Sequence, residues 1–256
     1  MASVLAELCE SLRDIGLRRT GAVMAGRLAD RIFDLHYGLE TSHRHSLAEV
    51  ADSPNVRHGT RYQPTGVLTF RAMLRTLDLP HSAVFLDIGA GKGRVLLLAA
   101  HLGFTTVRGI EFSPALCAQA RANIRSFQAK HKAAANPEVI EGDVMDYRFT
   151  DTEQIFYFFD VFHEALFKPT LDRILESLRR RPRPAWILYL HPRLARLVDA
   201  LPGLACIFDG VVWGYAWKVY HWRPGTAPDT LVDIKAAGRP EHEPGMSPAR
   251  EGRAAV

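Results

Sequence analysis

The stretch that decides the fold is residues 84–94, which read VFLDIGAGKGR. An apolar run typical of a buried strand contains Asp87 and leads into Gly89, Gly91 and Gly93, after which apolar residues return at helical spacing. Glycine lets the backbone approach a ligand closely, and the free N–H groups at the start of a helix favour an anion. The stretch therefore predicts a strand–loop–helix unit with a ligand site at the carboxyl end of the strand.

The glycine spacing differs from that of the dinucleotide-binding fingerprint. That fingerprint would need its third glycine where Arg94 stands, in an arrangement that seats a pyrophosphate. Acidic residues follow at the ends of the next predicted strands. Glu111 lies 24 positions after Asp87, near the distance at which such sites place a carboxylate on ribose hydroxyls, and Asp143 follows the third strand. This order of a glycine loop followed by acidic residues favours a nucleotide-like ligand that is held at successive strand ends.

Strands and helices alternate on both sides of this unit. Strands are predicted at residues 83–88, 106–110, 138–140, 154–159, 185–190, 205–208 and 211–220. Helices are predicted at residues 67–77, at 93–102, from 113 onward and at 165–180. This alternation indicates an α/β fold with a mostly parallel sheet and helices on both faces. The dipeptide Asp209-Gly210 separates the last two strands and predicts a tight turn in an antiparallel C-terminal hairpin.

Two further segments flank the predicted α/β domain, which spans residues 66–224. Residues 1–65 show apolar residues at helical spacing, broken near Gly16, and then a polar stretch with several Pro and Gly residues. They predict a helical N-terminal cap and a loop that closes over the ligand. Residues 225–256 are rich in Pro, Gly, Ala and charged residues, and predict a disordered tail.

Composition excludes several classes of protein. In this chain of 256 residues the apolar runs are too short to cross a bilayer, and Glu7, Glu10 and Arg13 interrupt the N-terminus, which no secretory signal core tolerates. We therefore expect a cytoplasmic protein without membrane contact. The formal net charge is a modest +4. Neither a metal site nor a disulfide framework is expected, because the cysteines lie far apart without metal-ligand spacing: Cys9, Cys117 and Cys206.

The glycine loop resembles the first motif of class I S-adenosylmethionine-dependent methyltransferases, which have a Rossmann-like fold. The resemblance implies that Gly89, Gly91 and Gly93 receive the methionine portion of S-adenosylmethionine and that Asp87 helps to orient it. It also implies that Asp143 stands at the position that binds the adenine. This cofactor has no phosphate, so the N-terminus of the following helix would favour its single carboxylate.

Segments around the loop carry a closer resemblance. They are FD at 33–34, YGLET at 37–41, HG at 58–59, YQPT at 62–65, DIGAGKGR at 87–94 and GIEFS at 109–113. Together they resemble a family of bacterial class I methyltransferases over roughly residues 30–223. That family is distantly similar to non-SET protein lysine methyltransferases, which also set a Tyr-containing loop before the glycine motif. The similarity implies that Tyr62 and Thr65 contact the methionine end of the cofactor and close its pocket. The alternative for Tyr62 is a ring packed under the loop.

The turn after the fourth strand departs from the pattern of many amine methyltransferases. Those enzymes carry an Asn-Pro-Pro-aromatic turn that accepts hydrogen bonds from the target nitrogen, whereas residues 158–162 here read FFDVF. Asp160, the candidate catalytic residue, could accept such a bond, although a carboxylate favours the ammonium form, which has no lone pair. It could instead act as a general base toward a hydroxyl or position a cationic substrate, and His163 is a second candidate. Three aromatic residues fit an acceptor-pocket wall or, more simply, core packing: Phe158, Phe159 and Phe162.

These observations leave several functions open. The leading hypothesis is methyl transfer from S-adenosylmethionine to an amine such as a protein lysine. The alternatives are an O-methyltransferase acting on a small metabolite and an inactive module that binds RNA or an acidic partner through the arginines at residues 179–183. Cations at a helix C-terminus complement the helix dipole, which explains those arginines more simply than nucleic acid does. A nicotinamide dehydrogenase is disfavoured by the glycine spacing.

Overall fold

The computed structural model describes residues 17–42, 63–131, 135–159 and 163–225. Within these ranges seven strands form one sheet in the order β3-β2-β1-β4-β5-β7-β6. Strands β1 to β5 are parallel, whereas β7 runs antiparallel to both β5 and β6. The strands are β1 (Val84–Ile88), β2 (Thr106–Glu111), β3 (Glu138–Glu141), β4 (Glu153–Phe159), β5 (Ala185–Leu190), β6 (Leu204–Val212) and β7 (Tyr215–Trp222). This confirms the predicted Rossmann-like sheet with its C-terminal hairpin.

Six helices surround the sheet in the described part of the chain. They are α1 (Leu17–Tyr37), α2 (Val67–Arg75), α3 (Arg94–His101), α4 (Pro114–Lys130), α5 (Glu164–Arg180) and α6 (Ala195–Asp199). Helix α4 begins where its sequence predicts, because the Ser113 side chain accepts a hydrogen bond from the Leu116 N–H and Pro114 occupies the first turn. The short helix α6 has no counterpart among the sequence-based predictions.

The core has two parts, one on each face of the sheet. On one face, α1 to α4 pack against buried residues such as Phe70, Phe85 and Tyr157. On the other face, α5 packs against residues such as Phe156 and Phe158. Helices therefore cover both faces, as the alternation of elements predicts.

The hairpin turn lies elsewhere than predicted. Asp209 and Gly210 are paired inside the hairpin, opposite Lys218 and Trp217, and the turn is formed by Trp213 and Gly214, with φ of 49° and 82°. The Asp-Gly pair is packed within the strand. A Cβ on Gly210 would lie 2.9 Å from the ring of Phe208, and that ring lies against Trp217 with centroids 4.4 Å apart and planes tilted by 36°. The prediction of a turn at Asp209-Gly210 was therefore wrong.

Several predictions fall on residues outside the described ranges. These are the first N-terminal helix, most of the loop before α2, Tyr62, the turn at residues 160–162 and the tail after Gly225. Among the described helices, none combines the length and the apolar character needed to cross a membrane.

Candidate functional site

The glycine loop joins β1 to α3 and has the backbone conformation that its glycines allow. Gly89, Gly91 and Gly93 have φ of 87°, 53° and 81°, in the left-handed region that side chains rarely adopt. The N–H groups of Gly89 and Ala90 both donate to the Ile110 carbonyl at 2.9 Å. The loop is thus held against the end of β2.

Glu111 holds the loop from the neighbouring strand. One carboxylate oxygen accepts from the Gly91 N–H at 2.8 Å, and the other accepts from the Ser113 N–H at 2.9 Å. Burial raises the pKa of Glu111, and these backbone hydrogen bonds oppose that rise. Each oxygen has a second lone pair with which to accept another hydrogen bond.

Asp87 lies at the end of β1 and is only 4% exposed. Burial, and then the nearby Glu111, raise its pKa well above the ordinary value. Among the described residues, none donates a hydrogen bond to its carboxylate, although buried carboxylates are normally paired or hydrogen-bonded. A cationic ligand would supply the missing partner. S-adenosylmethionine, which carries an ammonium and a sulfonium, fits this requirement.

Asp143 follows β3, one strand beyond Glu111. Its carboxylate accepts a hydrogen bond from the Met145 N–H at 2.8 Å, and the preceding Gly142 N–H donates to the Glu111 carbonyl at 2.9 Å. The three predicted acids, Asp87, Glu111 and Asp143, therefore stand at the carboxyl ends of three adjacent strands, β1, β2 and β3.

Thr65 lies above this edge of the sheet, immediately before α2. It is buried, and its hydroxyl is 2.8 Å from the hydroxyl of Tyr157 in β4. The charge of Asp87 acts on Tyr157, whose pKa is raised well above its ordinary value mainly by burial. The structure thus places Thr65 beside Tyr157, the neighbour of Asp87 in β4, while the other predicted residue of this segment, Tyr62, lies outside the described ranges.

Arg94 is a site-supporting residue whose role the sequence analysis missed. It is 2% exposed, and its guanidinium pairs with Asp30 at 2.9 Å and with Asp34 at 3.5 Å, both in α1. It also donates to the Thr41 and Ser42 hydroxyls at 2.6 and 2.7 Å. A cation at the first position of a helix opposes the helix dipole, and that mismatch was the available signal.

Two side-chain bridges extend this support. Asp30 accepts from the Val67 N–H at 2.8 Å and so caps α2, whose own N-cap residue, Gly66, has no side chain to do so. Asn123 in α4 accepts from the Glu40 N–H at 2.9 Å and donates to the Lys92 carbonyl at 3.0 Å. The start of α2 is therefore fixed to α1, and the chain that follows α1 is fixed to the glycine loop.

The end of β4 divides the aromatic residues singled out in the sequence. Phe158 is fully buried and packs on Phe167 and Tyr189, so core packing is its role. Phe159 is partly buried and meets the ring of Tyr215 in β7, with centroids 5.9 Å apart and planes at 89°. The next residue is Asp160, the candidate catalytic residue, which lies with Val161 and Phe162 outside the described ranges.

The arginines at the end of α5 make intramolecular bonds. Arg180 donates two hydrogen bonds to the Asp151 carboxylate, each at 2.6 Å, and Arg183 donates to the Glu153 carbonyl at 2.7 Å. Half of the cluster thus stabilises the fold locally. In the described residues no group of three or more His, Cys, Asp or Glu side chains is arranged to hold a metal ion.

Comparison with known proteins agrees with this geometry. Residues 85–185, from β1 to the first residue of β5, match the model of a family described as a methyltransferase domain. No curated protein matches the sequence at a significant level.

Three solved structures that are similar to part of this chain are an RNA methyltransferase, a biosynthetic protein and a dimethyltransferase. The RNA methyltransferase from Salinibacter ruber, in complex with S-adenosyl-L-homocysteine, shares 21% identity, covering 67% of this chain and 100% of that one, with a TM-score of 0.44. The pyocyanin biosynthetic protein PhzM shares 14% identity over 60% and 54% of the two chains, with a TM-score of 0.48. N,N-8-amino-8-demethyl-D-riboflavin dimethyltransferase (RosA) from Streptomyces davawensis shares 20% identity over 60% and 53%, with a TM-score of 0.45. Residues 85–185 therefore resemble a methyltransferase domain, and the strand order and the glycine loop agree with that resemblance.

Proposed function

We propose that the protein transfers a methyl group from S-adenosylmethionine to an amine, such as a protein lysine. The observation that carries the proposal is the Asp87 carboxylate, buried beside the glycine loop without a hydrogen bond from any described residue. The amine is supported by the resemblance to non-SET protein lysine methyltransferases in the segments around the loop. It is also supported by the contact between the rings of Phe159, the last residue of β4, and Tyr215.

The proposed donor site uses residues at one edge of the sheet, together with Tyr62 from the segment before α2. Asp87 meets the cationic methionine portion, Tyr62 and Thr65 close over it, and the N–H groups of the glycine loop face its carboxylate. The free lone pairs of Glu111 accept the ribose hydroxyls, and Asp143 meets the adenine.

The chemistry needs alignment more than it needs reactive side chains. Bound S-adenosylmethionine supplies a methyl group on a sulfonium: the amine lone pair forms the N–C bond as the C–S bond breaks, which leaves a neutral thioether. The amine must first lose its proton, which passes to water or to Asp160. The protein's task is to hold the two partners in line and exclude water, and orientation of this kind contributes roughly 7–11 kcal/mol.

The donor site is tested by Asp87→Asn, which keeps the shape of the side chain and removes its charge. We expect S-adenosylmethionine affinity, measured by calorimetry, to fall at least about tenfold, because a buried opposite charge is lost. Asp172→Asn is the matched control, since Asp172 lies half-exposed on α5 and pairs with Lys168 at the surface. Equal affinity of both variants and the wild type would refute the donor site.

The acceptor is tested with S-adenosylmethionine labelled in its methyl group and a lysate depleted of small molecules. We expect label in protein, in a form that resists mild base, as an N-methyl group does. Label that enters only after metabolites are restored would favour an O-methyltransferase of a small metabolite. Cofactor binding without transfer to any fraction would favour an inactive binding module.

A further inference from the structure

We infer that Phe159 and Tyr215 form an aromatic corner that receives the methyl acceptor and prefers a cationic amine to a neutral group of the same shape. The inference rests on the proposed function and deepens it, because it names the side chains that recognise the acceptor. Neither residue belongs to the donor site described above.

The position of the corner follows from the strand pairing. Asp87 in β1 lies beside Tyr157 in β4, and Phe159 is two residues further along β4, about 7 Å toward the carboxyl edge. Tyr215 begins β7 and reaches the Phe159 ring across the end of β5. The corner thus opens at the edge where the donor's methionine end is proposed to lie.

A short segment of chain links the corner to the donor side. The Gln63 side-chain amide donates to the Tyr215 hydroxyl at 3.1 Å, and two residues later the Thr65 hydroxyl meets Tyr157 at 2.8 Å. Residues 63–65 therefore fix the Tyr215 ring and pass above Tyr157 beside Asp87. An acceptor held by the corner would be enclosed between this segment and the end of β4.

The chemistry of the corner suits a cation. Its two rings are only partly buried and meet at 89°, so they offer surfaces at right angles to each other. The faces of aromatic rings carry negative potential and attract ammonium groups. None of its three described members, Gln63, Phe159 and Tyr215, carries a charge. An aromatic wall therefore attracts the ammonium form without contributing a charge of its own.

The test measures binding directly and does not depend on turnover. The full-length protein, saturated with S-adenosylhomocysteine, is titrated with choline and with 3,3-dimethylbutan-1-ol, its uncharged carbon analogue, and binding is followed by ligand-observed NMR. We expect choline to bind roughly tenfold more tightly than the alcohol. Tyr215→Leu should abolish that ratio, whereas Tyr215→Phe, which keeps the ring and loses only the Gln63 hydrogen bond, should retain most of it.

Two measurements make the result decisive. Val211→Thr, at an exposed position of the same hairpin, should behave as the wild type, and S-adenosylhomocysteine affinity should be the same in all variants, which verifies that they fold. Equal binding of the two probes to the wild type would refute the proposed role of the aromatic corner, and so would a preference for choline that persists in Tyr215→Leu. Neither result would contradict the proposed amine methylation. Label released by mild base in the transfer assay would instead overturn amine methylation while the probe ratio remained.

Discussion

At the scale of single residues, Asp87 and Glu111 are two buried acids within one site, and this has a consequence for pH. In the ligand-free protein the pKa of Asp87 is raised, first by burial and then by Glu111. The charge of Asp87 acts in turn on Tyr157, whose pKa is raised well above its ordinary value mainly by burial. A bound cation would favour the ionised carboxylate and lower its pKa, so binding should release a proton.

We therefore predict that S-adenosylmethionine affinity rises with pH until Asp87 is ionised in the free protein, and is constant above that point. The pH profile of the dissociation constant, together with calorimetry in buffers of different ionisation enthalpy, checks both the trend and the proton release. Asp87→Asn should show neither the rise of affinity with pH nor the release of a proton. A flat profile in the wild type would contradict the prediction.

Gly109 in β2 shows how closely the loop approaches the next strand. A Cβ there would lie 2.5 Å from the Cβ of Ala90 and 2.9 Å from a methyl of Leu96. Gly109→Ala should therefore destabilise the protein by about 1–3 kcal/mol and weaken cofactor binding, because the glycine loop must shift. Gly26→Ala is the control: it lies inside α1 with no atom within 4 Å of the added Cβ, and should stabilise by about 0.5–1 kcal/mol. Urea unfolding measures both, and a neutral Gly109→Ala would argue against this contact.

At the scale of elements, local sequence determined most of what was predictable. Strands β1, β2, β3, β4 and β5 were predicted to within one residue at each end, because short apolar runs bounded by Gly, Asp or Pro have few alternatives. The hairpin turn was not predictable in this way. Asp209-Gly210 has better turn propensity than Trp213-Gly214, but the strands pair in a register that brings the rings of Phe208 and Trp217 into contact and places the turn four residues later.

The turn itself carries a prediction. Trp213 has a φ of 49° at the first position of a two-residue turn, where Asn is favoured and a bulky side chain is strained. Trp213→Asn should raise the free energy of unfolding by about 1 kcal/mol, measured in urea. Val211→Thr, two residues earlier and 69% exposed, should change it little. A loss of stability in Trp213→Asn would mean that the indole ring contributes packing worth more than the strain.

At the scale of the whole molecule, Arg94 joins α1 to the α/β domain. The sequence could place three acids at strand ends because each follows its own strand. It could not show that Arg94 pairs with Asp30 and Asp34, since those partners lie some 60 residues away and are brought together only by tertiary packing. The positions of the three acids were therefore predictable, and the ion pairs of Arg94 were not.

We predict that Arg94→Met destabilises the protein by about 3–5 kcal/mol, because it leaves two largely buried carboxylates without their cation. Hydrogen exchange should show α1 losing protection before the sheet does. Arg121→Met removes an ion pair with Glu141 in which both side chains are more than 40% exposed, and should cost less than about 1 kcal/mol. Similar effects of the two substitutions in urea unfolding would show that Arg94 is not the link.

The pairing of Arg94 with α1 also orders events during synthesis. Asp30, Asp34 and Thr41 leave the ribosome more than 50 residues before the arginine that binds them, so α1 has no partner at this position until the glycine loop has been made. Residues 63–65, which cover the ends of β4 and β7, wait longer still for Tyr157 and Tyr215. Residues 63–65, which are proposed to enclose the acceptor, are thus translated well before the residues that fix them in place.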